Sequence, residues 1–161
     1  MTNDLPESER FSGLAERIAR ACLSPRKGDL ADILRGICQL LHDEVEGYDW
    51  VGFYLVDPPG SRELALGPFV GAPTEHVRIP FGKGVCGRAA ELRSTVVVDD
   101  VSRESNYLAC SLNVRSEIVL PIFRKDELVG ELDIDSHQLS RFGSDDRAFL
   151  SRVVETVSAV I

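Results

Sequence analysis

Apolar positions early in the chain recur at helical spacing. Phe11, Leu14, Ile18 and Ala21 fall on one stripe, and Leu34, Ile37, Leu41 and Val45 on another. The spacing predicts a first amphipathic helix over residues 8–23, ended by Pro25, and an Arg-Lys-Gly linker at 26–28. A second helix is expected from Asp29, as N-cap, to Val45, with Gly47 closing it. The period then changes. Asp49 to Val56 is rich in aromatic and β-branched residues and reads as a strand, 57–61 as a turn, and Glu63–Leu66 as the return strand of a hairpin. A short strand at His76–Ile79 precedes the glycine-rich stretch Phe81 to Gly87, and the pattern is helical from Gly84 through Leu92.

Thr95 to Asp99 reads as a buried strand. Residues 100–115 are polar and irregular, long enough for a functional lid. Strands Glu117–Phe123 and Glu127–Asp135 flank the turn Arg124-Lys-Asp126. Ser144 is the expected cap of a last helix whose apolar face is Phe149, Leu150, Val153, Val154, Val157 and Val160. There is no internal repeat. The element order α-α-β-β-β-α-β-β-β-α predicts an α+β domain with a central, largely antiparallel sheet. The 161 residues suit one domain, with 1–28 as N-terminal helix and linker and 29–161 as sheet, pocket and final helix. The stripes of the first and last helices are also long enough to pair between subunits, so a homodimer is an expectation.

Charge narrows the partners. Eighteen Lys+Arg against 26 Asp+Glu give a net charge of −8, without the general basic footprint of a nucleic-acid binder. A cationic or zwitterionic ligand suits that balance better than an anionic one. No apolar run approaches the ~18 residues of a membrane span. The polar, acidic N-terminus has no basic-then-apolar leader pattern, so the expected compartment is the cytoplasm.

The cysteines are Cys22, Cys38, Cys86 and Cys110, with no CxxC pair. A structural metal site of the usual short spacing is not expected, nor is a disulfide framework in a reducing compartment. Cys22 and Cys38 continue the helical stripes and read as small core hydrophobes. Cys86 and Cys110 belong to no stripe and are the candidates for chemistry. Cys86 falls near a helix start, where free N–H groups and the nearby Lys83 and Arg88 favour a thiolate; the alternative is a thiol that packs inward at a tight turn. Cys110 lies in the long loop, where the alternatives are an exposed reactive thiol and a half-buried anchor.

Glu131, Asp133 and Asp135 alternate with Leu132 and Ile134, so a strand puts the three acids on one face, and Glu117 opens the neighbouring strand. Desolvated together, such acids raise one another's pKa, grip an ammonium group and supply a proton at neutral pH. A solvated polar face is the other reading. Trp50, Phe53 and Tyr54 make either an aromatic wall for a methyl, thioether or cation, or ordinary strand packing. His76 and His137 alone carry little signal.

Together, WVGFYLV (50–56), LGPFVG (66–71), RIPFGKGVCGRAA (78–90), ACSLNVRSEIVLP (109–121) and GELDIDS (130–136) resemble the free methionine-(R)-sulfoxide reductases, stand-alone GAF-domain enzymes. The resemblance covers about residues 29–155. It implies a GAF-like fold with a six-stranded antiparallel sheet flanked by helices, around a pocket for free methionine sulfoxide. Carried over by position, Cys110 is the attacking thiol, and Glu117, Asp133 and Asp135 surround the substrate's ammonium group and sulfoxide oxygen. Trp50 lines the methyl end. A sulfenic acid on Cys110 would condense with a second thiol, and a dithiol such as thioredoxin would reset the enzyme without any cofactor. Two departures stand out. His76 occupies the position of a third cysteine that often resolves the intermediate in the family, which leaves Cys86, an external thiol, or loss of turnover. Ser111 and Val114 also depart from the family pattern, which bears on loop closure and substrate orientation. The alternative function is a non-catalytic GAF module that binds a small molecule. A sensor is normally fused to an output domain, for which this chain has no room, so the enzyme is the expected reading.

Overall fold

A computed structural model describes residues 5–23, 29–105, 107 and 113–161. The two predicted stripes become helices α1 (Glu7–Leu23) and α2 (Leu30–Glu44). Asp29 caps α2 as expected, its carboxylate accepting the Ala31 N–H at 3.4 Å. Gly47, at φ +86°, turns the chain out of the helix toward the sheet.

The strands are β1 (Trp50–Val56), β2 (Glu63–Val70), β3 (Arg78–Pro80), β4 (Val96–Val98), β5 (Ser116–Arg124) and β6 (Glu127–Ser136). They form one six-stranded sheet in the order β3-β2-β1-β6-β5-β4, antiparallel throughout. Helix α3 (Gly84–Leu92) takes the expected residues, and α4 spans Ser144–Val157.

Most boundaries shift by a residue or two from the sequence expectation, and a 3₁₀ turn at Val101–Arg103 stands in the stretch expected to be irregular; three shifts are larger in consequence. β2 runs four residues beyond Leu66, because Gly67-Pro68 is absorbed as an irregularity against β1: Tyr54 pairs with Leu66 but Gly52 with Phe69. β3 starts at Arg78, so His76 and Val77 lie in the approach to the strand. The cap of α4 is Gly143, not Ser144, because Asp146 reaches back to accept the Gly143 N–H at 2.9 Å. The same carboxylate takes the Tyr48 hydroxyl at 2.7 Å and Arg141 at 3.0 Å, which anchors the helix start to the turn before β1.

The pairing register sorts the side chains into two layers, since directly opposed residues share a face. Val51 and Phe53 of β1, Ile118, Leu120 and Ile122 of β5, and Leu132 and Ile134 of β6 point to the helical side. There they meet α1, α2 and α4 in one apolar core. The predicted stripe of α1 is met by α4 within the same chain, with the Phe11 and Phe149 rings stacked at 4.4 Å. This corrects the expectation that these two stripes pair between subunits. Cys38 is buried in this core, its thiol donating to the Pro68 carbonyl at 3.6 Å, whereas Cys22 is only half-buried at the end of α1. The opposite layer, under α3, holds Trp50, Tyr54, Val85, Cys86 and Val119 together with buried acids.

Candidate active site

The site is built on the three central strands. On β6, Glu131, Asp133 and Asp135 face the α3 side, opposite Tyr54, Gly52 and Trp50 of β1. Glu117 of β5 pairs with Asp135 and enters the same layer. All four acids are buried, with at most 3% of their surface exposed, so the solvated polar face is excluded. A two-residue period permits no other placement of the β6 acids once Leu132 and Ile134 are in the helical core.

Burial is the first cause that raises the carboxyl pKa of Glu117, Glu131 and Asp133. Glu117 is raised well above the usual carboxylate range by desolvation first, then by the charges of Asp133 and Asp135, to both of which it is hydrogen-bonded. Asp133 is raised by desolvation, opposed by hydrogen bonds from Glu117 and Cys86. Glu117 and Asp133 are thus joined by a buried carboxyl–carboxylate hydrogen bond. Glu131 is also raised well above its ordinary value, by burial and then by the charge of Asp133.

Cys86 is the third residue of α3, and its Sγ donates to Asp133 Oδ2 at 3.3 Å. Of the two cations expected beside the thiol, Lys83 lines the same crevice as Cys86 and Arg88 does not. Arg88 pairs with Glu104 at 2.8 Å, and the thiol faces a carboxylate that draws its proton into a hydrogen bond. The inward-packing alternative describes its burial, yet the packing partner is the acid cluster. One ligand atom each from Cys86, Glu117 and Asp133 lies within 4.8 Å of the others, so the thiol and the two carboxyls form one compact buried cluster.

Trp50 forms the aromatic wall with Tyr54 and Phe69, stacked at 6.5 and 5.4 Å between centroids. Phe53 is not part of it, because its position in β1 sends it to the helical core. The indole lies across Gly52 and against Gly71: a Cβ on Gly52 would meet the Trp50 ring at 2.4 Å and one on Gly71 at 2.6 Å. Its N–H donates to the Ala72 carbonyl at 3.0 Å, which fixes the ring's tilt. Neither Gly52 nor Gly71 stood out in the sequence analysis; a glycine inside an otherwise bulky strand is the one signal that could have pointed to the cradle.

A narrow crevice lined by His76, Lys83, Val85, Cys86 and Glu117 leads toward the cluster. His76, which carried little signal as a residue, sits on its wall, and its backbone carbonyl accepts the Tyr54 hydroxyl at 3.0 Å. Val114 packs into the core of this layer. Cys110 and Ser111 lie outside the described residues. His137 follows the end of β6 beside Asp49, at 3.7 Å, away from the acids. A wider cleft on the helical side, between α1 and the turn before β1, is walled by ion-paired Arg17, Glu44 and Arg141 and contains none of the candidate groups.

Comparison with known proteins agrees with this arrangement. The model of the GAF domain family matches residues 27–161. GAF domain-containing protein A of Dictyostelium discoideum is 42% identical over 149 residues, 92% of this chain and 90% of that one. The free methionine-R-sulfoxide reductase of Escherichia coli is 38% identical over 122 residues, 76% of this chain and 72% of that one. The X-ray structure of free methionine-R-sulfoxide reductase from Neisseria meningitidis in complex with its substrate superposes with a TM-score of 0.89 at 34% identity, covering 99% of this chain and 92% of that one. The chain therefore belongs to the GAF domain family, and within it to the free methionine-R-sulfoxide reductases.

Proposed function

We propose that this protein reduces free L-methionine-(R)-S-oxide to L-methionine through a cysteine thiolate. The observation that carries the reading is the buried set of Glu117, Asp133 and Asp135 beside a thiol and under Trp50, in the family just described. Such a set is at once acidic enough to hold an α-ammonium group and able to keep a transferable proton. A sulfoxide sulfur becomes electrophilic when its oxygen takes a proton, and Glu117 holds one at neutral pH. The Cys110 thiolate then attacks sulfur; methionine leaves, and the oxygen stays on Cys110 as a sulfenic acid. Condensation with a second thiol forms a disulfide and releases water, and a thioredoxin-like dithiol restores both thiols.

Cys86 is our choice as the resolving thiol, because it already lines the crevice and no cysteine stands at position 76. The stacked indole of Trp50 suits the substrate's methyl end. Carboxylates around the α-amino group make methionine sulfoxide inside a peptide a poor substrate. The chemistry needs reduced thiols and no cofactor, which fits a cytoplasmic setting. A homodimer belongs to the same reading, although the α1 and α4 stripes are used inside one chain; light scattering at micromolar concentration tests it.

The deciding assay follows methionine formation from free methionine-R-sulfoxide with a dithiol. Loss of turnover in Cys110→Ser supports the enzyme. Saturable binding of the sulfoxide without turnover by the wild-type protein selects the non-catalytic binding module instead.

A further inference from the structure

Glu131 is the one acid of the β6 row that the proposed reaction leaves without a task. It is fully buried, and among the described residues neither of its carboxyl oxygens has a hydrogen-bond partner. Its neighbours across the sheet explain this. On β5 it faces Pro121, whose side chain offers no donor or acceptor. On β1 it faces Tyr54, whose hydroxyl is directed to the His76 carbonyl. Along its own strand the next residue on the same face is Asp133, which already accepts from Cys86 and Glu117. A leucine or methionine of similar volume would suit a layer containing Val56, Leu64 and Leu128 at lower cost. A buried polar group without a partner in a native protein calls for a reason.

We infer that Glu131 is a positioning residue that acts as a neutral hydrogen-bond donor to Asp133, holding Asp133 as the anion when the substrate's ammonium group enters the cluster. This rests on the reductase reading and adds to it the group that fixes where the negative charge sits. Binding of a cation pulls the cluster toward ionisation, and an ionised Asp133 gains from every donor it can recruit. The Cys86 thiol is a weak donor, and Glu117 is needed at the sulfoxide. Glu131 stands two residues along the same pleat, where same-face carboxyls on one strand can meet. A carboxylic acid kept neutral by burial is suited to donate a strong hydrogen bond to a charged acceptor. The titratable groups around Glu131 are Tyr54 from β1 and Asp133 from β6, with Cys86 of α3 and Glu117 of β5 reached through Asp133.

Two variants and two readouts test this. Glu131→Gln keeps a neutral donor, and Glu131→Leu removes it at similar volume. Turnover of free methionine-R-sulfoxide by the Gln variant stays within about twofold of wild type, while the Leu variant shows a KM raised about tenfold or more with kcat little changed, the effect of one lost hydrogen bond to a charge. Melting temperature of the Leu variant is equal to or above wild type. Unchanged KM in the Leu variant overturns the inference, as does equal impairment of both variants. The second readout is infrared difference spectroscopy of wild type against Glu131→Gln at neutral pH, which shows the band of a neutral carboxyl. Its absence overturns the inference even if the Leu variant does not fold. A wild-type protein with that band but no turnover defeats the reductase reading and leaves the neutral carboxyl of Glu131 in place.

Discussion

The two faces of the sheet are built from the same three strands and have opposite characters. On the helical side, Ile118, Leu132 and Ile134 meet Leu34, Ile37 and Phe149 in an apolar layer, with the buried Ser116–Ser136 pair at the strand ends. On the α3 side, positions one residue away along each strand place Glu117, Glu131, Asp133 and Asp135 out of water. Burial on the first face stabilises at roughly 1.5–3 kcal/mol for a large aliphatic side chain. Burial on the second costs free energy and concentrates protons. Stability and chemistry are thus separated by a single step of the β-pleat.

Substitutions break this contrast in graded ways. Glu117→Gln removes the proton carrier and is expected to lower kcat by ~10²–10⁴-fold, with the melting temperature unchanged or raised; steady-state kinetics beside a thermal melt read both. The mirror experiment is Leu34→Ala. It should cost about 2–5 kcal/mol of stability, measured by urea unfolding, while turnover per folded molecule is retained.

Gly52→Ala sets a methyl 2.4 Å from the Trp50 ring and 2.9 Å from the Phe69 Cβ, so the indole must move. KM should rise by about tenfold, with a change in Trp50 fluorescence as the structural readout.

The acid face also makes stability depend on pH. Glu117, Glu131 and Asp133 all bind protons more tightly in the folded chain than carboxyls do in an unfolded one. Their folded pKa values are raised, so the unfolded chain carries fewer protons above the ordinary carboxylate range. Stability is then fullest at or below about pH 4 as far as these groups are concerned, and falls as pH rises through the window above it, by at most about 1.4 kcal/mol per unit for each. Melting temperatures measured from about pH 4 to about pH 8 should show that fall. Glu117→Gln should flatten it.

Much of this contrast was legible in the chain. The helical stripes, the succession of strands along the chain and the acid row follow from periods of 3.6 and 2, which packing then enforces. The family motifs grouped Glu117, Asp133 and Asp135 around one substrate, whereas the contact of Cys86 with Asp133 emerges only in the fold. What periodicity could not supply was the direction in which the acid row faces, because solvent and a small pocket layer accept the same alternation. Phe53 stands out of phase with Trp50 and Tyr54, so the same alternation separates it from the aromatic wall, whereas aromatic composition alone groups the three. The Cys86 environment was legible only in part: Lys83 shares its crevice, but Arg88 is drawn to Glu104, and that partner and the acceptor Asp133 come from elsewhere in the fold.

Both rims of the sheet are short. β3 and β4 have three residues each, and β3 ends at Pro80, which has no N–H to offer. Another molecule could thus extend this sheet over only a few ladder positions. Stacking of copies rim to rim, the usual first step of strand-mediated aggregation, has little template here even at high concentration.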